Sequence, residues 1–151
     1  MKMKAIICDL DGTLCDLRHR LHYMGHKPKM RDEFHAAAKD DSIYTDVLDV
    51  LLGYQVGYYH DDRRILLVTC RPERYRADTV AWLQKHRVPY HDLIMRADGD
   101  TREDALIKGL IYTYHIEPHY DVQFVLEDKT SVVRMWRERG ITCWQVREYD
   151  A

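Results

Sequence analysis

The sequence places two carboxylates one residue apart at the end of an apolar segment. Asp9 and Asp11 follow residues 3–8 and directly precede Gly12. A short, nearly continuous apolar segment predicts a strand buried on both faces of a parallel sheet, and ligands bind at the carboxyl ends of such strands. Neighbouring carboxylates repel each other unless a hard cation lies between them. The pair therefore predicts a site for phosphate and Mg²⁺, although a solvated turn would have the same short sequence.

Polar residues also follow two later apolar segments. Thr69 and Arg71 come after one of them, where a hydroxyl, backbone amides and a guanidinium could hold phosphate oxygens. Glu127 and Asp128 come after another and form a second acidic pair. Each residue alone has a simpler explanation as a helix cap or a surface ion pair. Their occurrence at several strand ends favours a single site at one edge of a sheet, facing Asp9 and its neighbour.

Lys108 lies between these segments, on a predicted helix. The apolar face of that helix is assigned to Leu106, Leu110 and Ile111, so the lysine is expected to point toward the acidic residues. A solvated lysine is the simpler alternative.

The apolar pattern predicts alternating strands and helices. Five apolar segments predict strands, at residues 3–8, 64–69, 92–95, 122–127 and 141–146. Apolar residues at helical spacing predict helices over residues 45–59, 72–86, 105–111 and 132–136. This alternation predicts an α/β fold with a doubly wound, mostly parallel sheet. Residues 15–41 fall outside the pattern and predict a small helical cap inserted after the first strand.

Individual residues predict where the helices begin. Thr45 and Thr130 are suitable N-caps, and so is either Asp100 or Thr101 for the helix that carries the lysine. Pro72 suits the first turn of its helix, because proline fixes a helical φ angle and lacks only an N–H that would be unpaired there.

Composition narrows the class of protein. The 151 residues suit one domain, and a formal net charge of −2 excludes a protein that covers nucleic acid with uniform positive charge. Cys8, Cys15, Cys70 and Cys143 show no C-x-x-C spacing, which argues against a disulfide framework and a zinc site and favours the cytoplasm. The sequence has no signal-like segment, long apolar span or lipidation motif, so neither secretion nor membrane association is predicted.

The inserted segment is locally basic. Residues 17–31 contain five lysines and arginines and no acidic residue, and they begin soon after the first acidic pair. A basic cap predicts a polyanionic substrate such as a nucleic acid end, and Arg18 and Arg20 are candidate substrate-binding residues. The alternative is a solvated basic segment without a ligand.

These motifs, taken together, resemble those of the haloacid dehalogenase-like (HAD-like) phosphohydrolases. The shared pattern is the segment at residues 9–13, a strand that ends at Thr69, a helix that carries Lys108 and a strand that ends in an acidic pair. A closer resemblance is to the 3′-phosphatase domain of bacteriophage polynucleotide kinase-phosphatases. It is carried by residues 99–108, 115–122, 126–137 and 143–146. Both resemblances imply a Rossmannoid α/β fold.

The resemblance implies roles for the residues that carry the chemistry. Asp9 corresponds to the nucleophile that forms an aspartyl-phosphate, and Asp11 to the acid that protonates the leaving oxygen and then activates water. Thr69 and Lys108 correspond to residues that bind the transferring phosphoryl group, with Arg71 beside them.

Metal and substrate ligands follow from the same resemblance. Asp128 would hold Mg²⁺ together with Asp9 and the backbone carbonyl of Asp11, while Glu127 replaces the usual aspartate and is either a direct or a water-mediated ligand. Arg96 would lie near the phosphate or the adjoining nucleotide, and Thr13 is assigned to the substrate. The G-x-x-x-x-G-K-[ST] loop of a kinase is absent from the 151 residues.

The leading hypothesis is therefore a magnesium-dependent polynucleotide 3′-phosphatase of nucleic acid repair. It would act on DNA or RNA 3′ ends. A further hypothesis is that the chain binds a separate kinase or ligase. One alternative keeps the chemistry but changes the substrate to a nucleotide or another small phosphomonoester. Another alternative, of a different class, is a receiver-like phosphorylated signalling domain.

Overall fold

The structure, a computed structural model, describes residues 2–55 and 62–148. The strands are β1 (Met3–Cys8), β2 (Cys15–Asp16), β3 (Ser42–Ile43), β4 (Arg63–Pro72), β5 (Asp92–Arg96), β6 (Tyr120–Glu127) and β7 (Cys143–Gln145). The α-helices are α1 (Arg31–Ala36), α2 (Thr45–Gln55), α3 (Arg76–Lys85), α4 (Asp104–Ile111) and α5 (Thr130–Glu138). Short 3₁₀ segments cover Arg18–Gly25, Ala37–Asp40 and Glu73–Tyr75, and a π-helical turn covers Tyr112–Ile116.

Five strands form a parallel sheet in the order β5-β4-β1-β6-β7. Helices α2 and α3 pack on one face of it and α4 and α5 on the other. Side chains of β1 alternate between the two resulting cores, with Ile6 and Cys8 in one and Ala5 and Ile7 in the other. This explains the continuous apolar sequence of β1, because both faces of the strand are buried. The predicted doubly wound α/β fold is confirmed.

All five predicted strands are present; β1 has the predicted ends, and the other four differ at one end or both. Strand β4 continues to Pro72, which pairs with Arg96 of β5 across an irregularity in the ladder. The prediction that Pro72 begins a helix is therefore wrong, and α3 begins at Arg76 after one 3₁₀ turn. Strand β7 is shorter than the apolar segment that predicted it. The part of the predicted helix 45–59 that follows Gln55 lies outside the described residues.

The predicted N-cap residues differ from those in the structure. Helices α2 and α5 include Thr45 and Thr130 as their first residues, so neither threonine precedes its helix as an N-cap. Helix α4 begins only at Asp104. The carboxylate of Asp100 instead accepts hydrogen bonds from the backbone and guanidinium of Arg102, so it caps a local turn and not the helix.

The apolar face of α4 also differs from the prediction. Ile107 and Ile111 face the core, whereas Leu106 is 51% exposed. This rotation of the helix places Lys108 at the end of the sheet.

The insertion leaves the sheet after β1 and returns to it before α2. Strands β2 and β3 form an antiparallel pair that joins its two ends, with Cys15 opposite Ile43. Between them lie α1 and the first two 3₁₀ segments. An inserted helical segment is therefore confirmed, and the two-stranded pair at its base was not predicted from the sequence.

We expect Leu67→Ala to lower the free energy of unfolding by about 2–5 kcal/mol, because it leaves a cavity in the core. Leu67 lies on β4 and is 0% exposed. Urea denaturation followed by circular dichroism measures this change. Leu106→Ala removes the same atoms from an exposed position on α4 and should change the free energy of unfolding by less than about 0.5 kcal/mol. Equal losses in the two variants would contradict this description of the core.

Candidate active site

Asp9 directly follows the central strand β1, and its carboxylate is held from both sides. Its backbone N–H donates to the carbonyl oxygen of Leu126 at 3.1 Å, which continues the ladder with β6. Gly12 has a φ of 82°, a left-handed conformation that glycine adopts without steric cost. The turn brings Thr13 back so that its hydroxyl donates to Oδ2 of Asp9 at 2.9 Å. The motif thus fixes a carboxylate whose side chain is 8% exposed.

Lys108 reaches the same carboxylate from α4. Its Nζ donates to Oδ1 of Asp9 at 2.7 Å and to Oε2 of Glu127 at 2.8 Å. Burial opposes the charged form of the lysine, but the two carboxylates outweigh it and raise its pKa well above the usual range. Lys108 is therefore a buried cation at the carboxyl edge of the sheet.

Asp9, Glu127 and Asp128 form a buried acidic cluster. Their carboxylate oxygens include a set that lies within 4.8 Å of one another. The ammonium of Lys108 contacts this cluster and contributes one positive charge. If all three carboxylates are ionised, the cluster and the lysine together carry a net charge of −2. Burial, and then the neighbouring Asp9 and Glu127, raise the pKa of Asp128. A buried, all-oxygen cluster with excess negative charge fits a hard divalent cation such as Mg²⁺.

Asp11 turns away from this cluster toward two arginines. Nη2 and Nε of Arg71 donate to its carboxylate at 2.7 and 3.1 Å, and Nη2 of Arg20 donates to the same oxygen, Oδ1. Burial alone would raise the pKa of Asp11, but the guanidinium groups of Arg71 and Arg20 hold it well below its usual range. Asp11 is therefore an ionised carboxylate at neutral pH.

A second buried acid, Asp41, completes this group. Nε and Nη2 of Arg20 donate to the two carboxylate oxygens of Asp41 at 2.8 and 2.6 Å. The Arg20 guanidinium also lies 4.3 Å from the ring centroid of Phe34. Two carboxylates face two guanidinium groups, so this group is electrically neutral. We refer to Asp11, Arg20, Asp41 and Arg71 as the ionic clamp.

The remaining predicted site residues lie beside these two groups. The hydroxyl of Thr69 is buried and accepts a hydrogen bond from the backbone N–H of Arg71 at 3.1 Å. Arg96 donates from Nε to the carbonyl oxygen of Cys70 at 2.9 Å and pairs with Asp104. It therefore holds the carboxyl end of β4, which carries Thr69.

The insertion places its two candidate arginines differently. Arg20 was expected on a basic surface, but it is 0% exposed and its guanidinium is bound within the ionic clamp. Arg18 lies at the surface and pairs with Asp16. The exposed lysines and arginines of the insertion are thus Arg18, Lys27, Lys29, Arg31 and Lys39.

Sequence reasoning missed two acids of this region. Asp41 ends the inserted segment, and no local pattern distinguishes it from the adjacent Asp40. Asp104 bridges Arg96 and Lys129. A signal for Asp104 was available, because it lies four residues before Lys108 and so shares its face of α4.

A parallel α/β sheet with an acidic site at its carboxyl edge defines the class, and solved structures agree on the HAD-like fold. A hydrolase from Streptococcus pneumoniae TIGR4 superposes with a TM-score of 0.59 at 14% identity, covering 98% of this chain and 95% of that one. A HAD family enzyme of Bacteroides thetaiotaomicron, solved with magnesium and inorganic phosphate, superposes with a TM-score of 0.54 at 16% identity, covering 94% and 93%. At these identities the comparisons show the shared fold.

The family is narrower than this class. The family model of the polynucleotide kinase PNKP phosphatase domain matches residues 3–150, and the chain belongs to that family. A chain of a solved Pnkp1/Rnl/Hen1 complex is 34% identical with a TM-score of 0.84, and the match covers 99% of this chain and 48% of that one. A protein of Autographa californica nuclear polyhedrosis virus, named as a bifunctional polynucleotide kinase/RNA ligase, is 29% identical over 139 residues, which are 91% of this chain and 18% of that protein.

The chain therefore spans less than half the length of these two relatives. Within residues 2–55 and 62–148, no helix combines the length and apolar character needed to cross a membrane.

We expect Asp41→Asn to lower the free energy of unfolding by about 3 kcal/mol, because it leaves the buried ionic clamp with one uncompensated positive charge. The side chains of both residues are 0% exposed. Urea denaturation at neutral pH measures the change. Asp46→Asn is the matched control: Asp46 pairs with Arg147 at 2.9 Å but is 63% exposed, and this change should cost less than about 1 kcal/mol. Equal costs would show that the clamp contributes no more than a surface ion pair.

Proposed function

We propose that this chain is a magnesium-dependent polynucleotide 3′-phosphatase that removes 3′-phosphate from DNA or RNA ends through an aspartyl-phosphate. One observation carries the proposal. Asp9 directly follows the central strand and accepts a hydrogen bond from Lys108 on one carboxylate oxygen and from Thr13 on the other. The chain that carries it belongs to the PNKP phosphatase domain family.

Asp9 is the proposed nucleophile. A carboxylate oxygen attacks phosphorus in line with the 3′-oxygen, so an O–P bond to Asp9 forms as the P–O3′ bond breaks. Attack by a carboxylate on a phosphate dianion is opposed by like-charge repulsion. The ammonium of Lys108 reduces that repulsion at the phosphoryl oxygens. The hydroxyl of Thr69 and the backbone amides at the end of β4 do the same.

Asp11 is the proposed acid and base. It protonates the departing 3′-oxygen, then takes a proton from the water that attacks phosphorus and releases Asp9 as a free carboxylate. Arg71 and Arg20 stabilise the ionised form of Asp11, which suits the second step. The first step requires a proton on Asp11, so we propose that a guanidinium turns from Asp11 to the incoming phosphate.

The acidic cluster is the proposed metal site. Asp9 and Asp128, with the backbone carbonyl of Asp11, would hold Mg²⁺, which when bound neutralises charge on the phosphoryl oxygens. Glu127 is engaged with Lys108 at 2.8 Å. We therefore assign Glu127 to orienting the lysine or to a water-mediated metal contact.

A polynucleotide is the proposed substrate, because the insertion, which contacts Asp11 through Arg20, also carries the exposed cations Lys27, Lys29 and Arg31. The relatives support the same substrate: one is named a polynucleotide kinase/RNA ligase, and another belongs to a complex described as an RNA repair complex.

A separate kinase or ligase is the proposed partner. Arg71 and Arg96 are the proposed contacts to the phosphate and the adjoining nucleotide. Membership of a family of phosphatase domains argues against a receiver-like signalling domain.

Phosphate release from matched oligonucleotides tests the proposal. We expect Mg²⁺-dependent release from a 3′-phosphorylated oligonucleotide, little release from a 5′-phosphorylated one or from a 3′-mononucleotide, and loss of activity on chelation. Asp9→Asn should lower kcat by about a thousandfold or more. Asp46→Asn, a surface carboxylate exchanged in the same way, should leave it unchanged.

Two outcomes would contradict the proposal. Equal hydrolysis of all three substrates would indicate a general phosphomonoesterase, which is the remaining alternative. Full activity of Asp9→Asn would remove Asp9 as the nucleophile.

A further inference from the structure

His35 lies between the rest of the insertion and the segment that follows β4. It lies on α1 directly after Phe34, whose ring and carbonyl oxygen contact Arg20 of the ionic clamp. The His35 ring centroid lies 5.3 Å from that of Phe34 and 5.1 Å from that of Tyr75. Tyr75 follows β4, four residues after Arg71. The imidazole is therefore held between aromatic rings next to the residues that bind Asp11.

Nδ1 of His35 is buried and has no hydrogen-bond partner. Within residues 15–41, all of which the structure describes, it is the one buried side-chain nitrogen or oxygen in this condition. A buried polar atom without a partner costs free energy that a suitable ligand atom would recover. Nearby donors are engaged elsewhere: the hydroxyl of Tyr75 and the guanidinium of Arg74 both donate to Asp32.

The imidazole is neutral at physiological pH. Burial lowers the pKa of His35 to about 4; Asp11 opposes this shift, and Arg71, Arg20 and Arg74 add to it. A neutral imidazole has one nitrogen without a proton, which accepts a hydrogen bond. With its proton on Nε2, the ring presents Nδ1 as an acceptor, which suits a substrate hydroxyl as donor.

The proposed reaction defines which hydroxyl comes close. The leaving 3′-oxygen must reach Asp11, and the ribose 2′-hydroxyl is bonded to the neighbouring carbon of the same sugar. RNA has this hydroxyl and DNA lacks it. We propose that His35 accepts a hydrogen bond from the 2′-hydroxyl of the 3′-terminal nucleotide, and that the protein therefore prefers RNA 3′-phosphate ends to DNA ends. This inference rests on the proposed function.

The test compares three 3′-phosphorylated oligonucleotides that differ only in the terminal sugar. The sugars are ribose, 2′-deoxyribose and 2′-fluoro-2′-deoxyribose, of which only ribose can donate. We expect the wild-type protein to prefer the ribose end by about tenfold in kcat/KM, the order of one hydrogen bond. His35→Phe keeps an aromatic ring between Phe34 and Tyr75 and should lower that ratio to about one, with little change on the deoxy end. His35→Asn retains an acceptor near the position of Nδ1 and should keep part of the preference.

His86→Phe is the matched control. His86 also has a buried ring nitrogen without a partner and lies 4.3 Å from an aromatic ring, that of Trp82. It follows the last residue of α3, at the amino edge of the sheet and away from the acidic site. His86→Phe should therefore keep the wild-type ratio. This control shows whether the loss of a buried histidine changes the sugar preference only at the position of His35.

The outcomes separate the inference from the proposed function. A wild-type ratio near one, or an unchanged ratio in His35→Phe, overturns the role of His35 while 3′-phosphatase activity stands. The wild-type measurement needs no variant, so a variant that fails to fold does not prevent the test. A wild-type protein that hydrolyses none of the three ends overturns the proposed function, and the inference with it.

Discussion

The buried carboxylates at one edge of the sheet need positive charges beside them, and this need determines where the basic side chains of the site lie. Asp9, Asp41, Glu127 and Asp128 are buried near one edge of the sheet, and Asp11 is only partly exposed. Two like charges about 4 Å apart repel each other by about 4 kcal/mol even at an effective dielectric constant of about 20. Each acid therefore needs a cation within contact distance. The parallel topology gathers the acids at one edge, so the cations must come from elements that also reach that edge.

Three elements supply these cations, and they divide the site into two halves. Arg71 comes from the end of β4, Lys108 from α4 and Arg20 from the insertion. The half formed by the ionic clamp is neutral, whereas the half around Asp9 has more carboxylates than cations. The first half is complete without a ligand and stabilises the fold. The second half has an excess of negative charge, which is the electrostatic basis of the proposed metal site.

The sequence predicted those features that depend on local pattern. The strands were predicted because each is apolar on both faces, and the acids of the site were predicted because they follow those strands. The burial of Arg20 could not be predicted, since it depends on the path of 21 residues that return Asp41 to the same place. Composition indicated an exposed basic cap there, with Arg20 among the residues that bind substrate. The end of β4 at Pro72 was mispredicted for a similar reason, because its pairing with β5 is a tertiary contact.

The ionic clamp gives the insertion a role beyond covering the site. In the proposed chemistry, Asp11 and the substrate phosphate compete for Arg71 and Arg20. The phosphate carries more charge than one carboxylate, and charge-assisted hydrogen bonds favour the more highly charged acceptor. Transfer of a guanidinium to the phosphate would remove the charge that keeps Asp11 ionised and so allow it to carry a proton. Arg20 also contacts Asp41 and Phe34, so this transfer would be transmitted to α1. The insertion and the catalytic acid are thus parts of one electrostatic unit, and a change in either must alter the other.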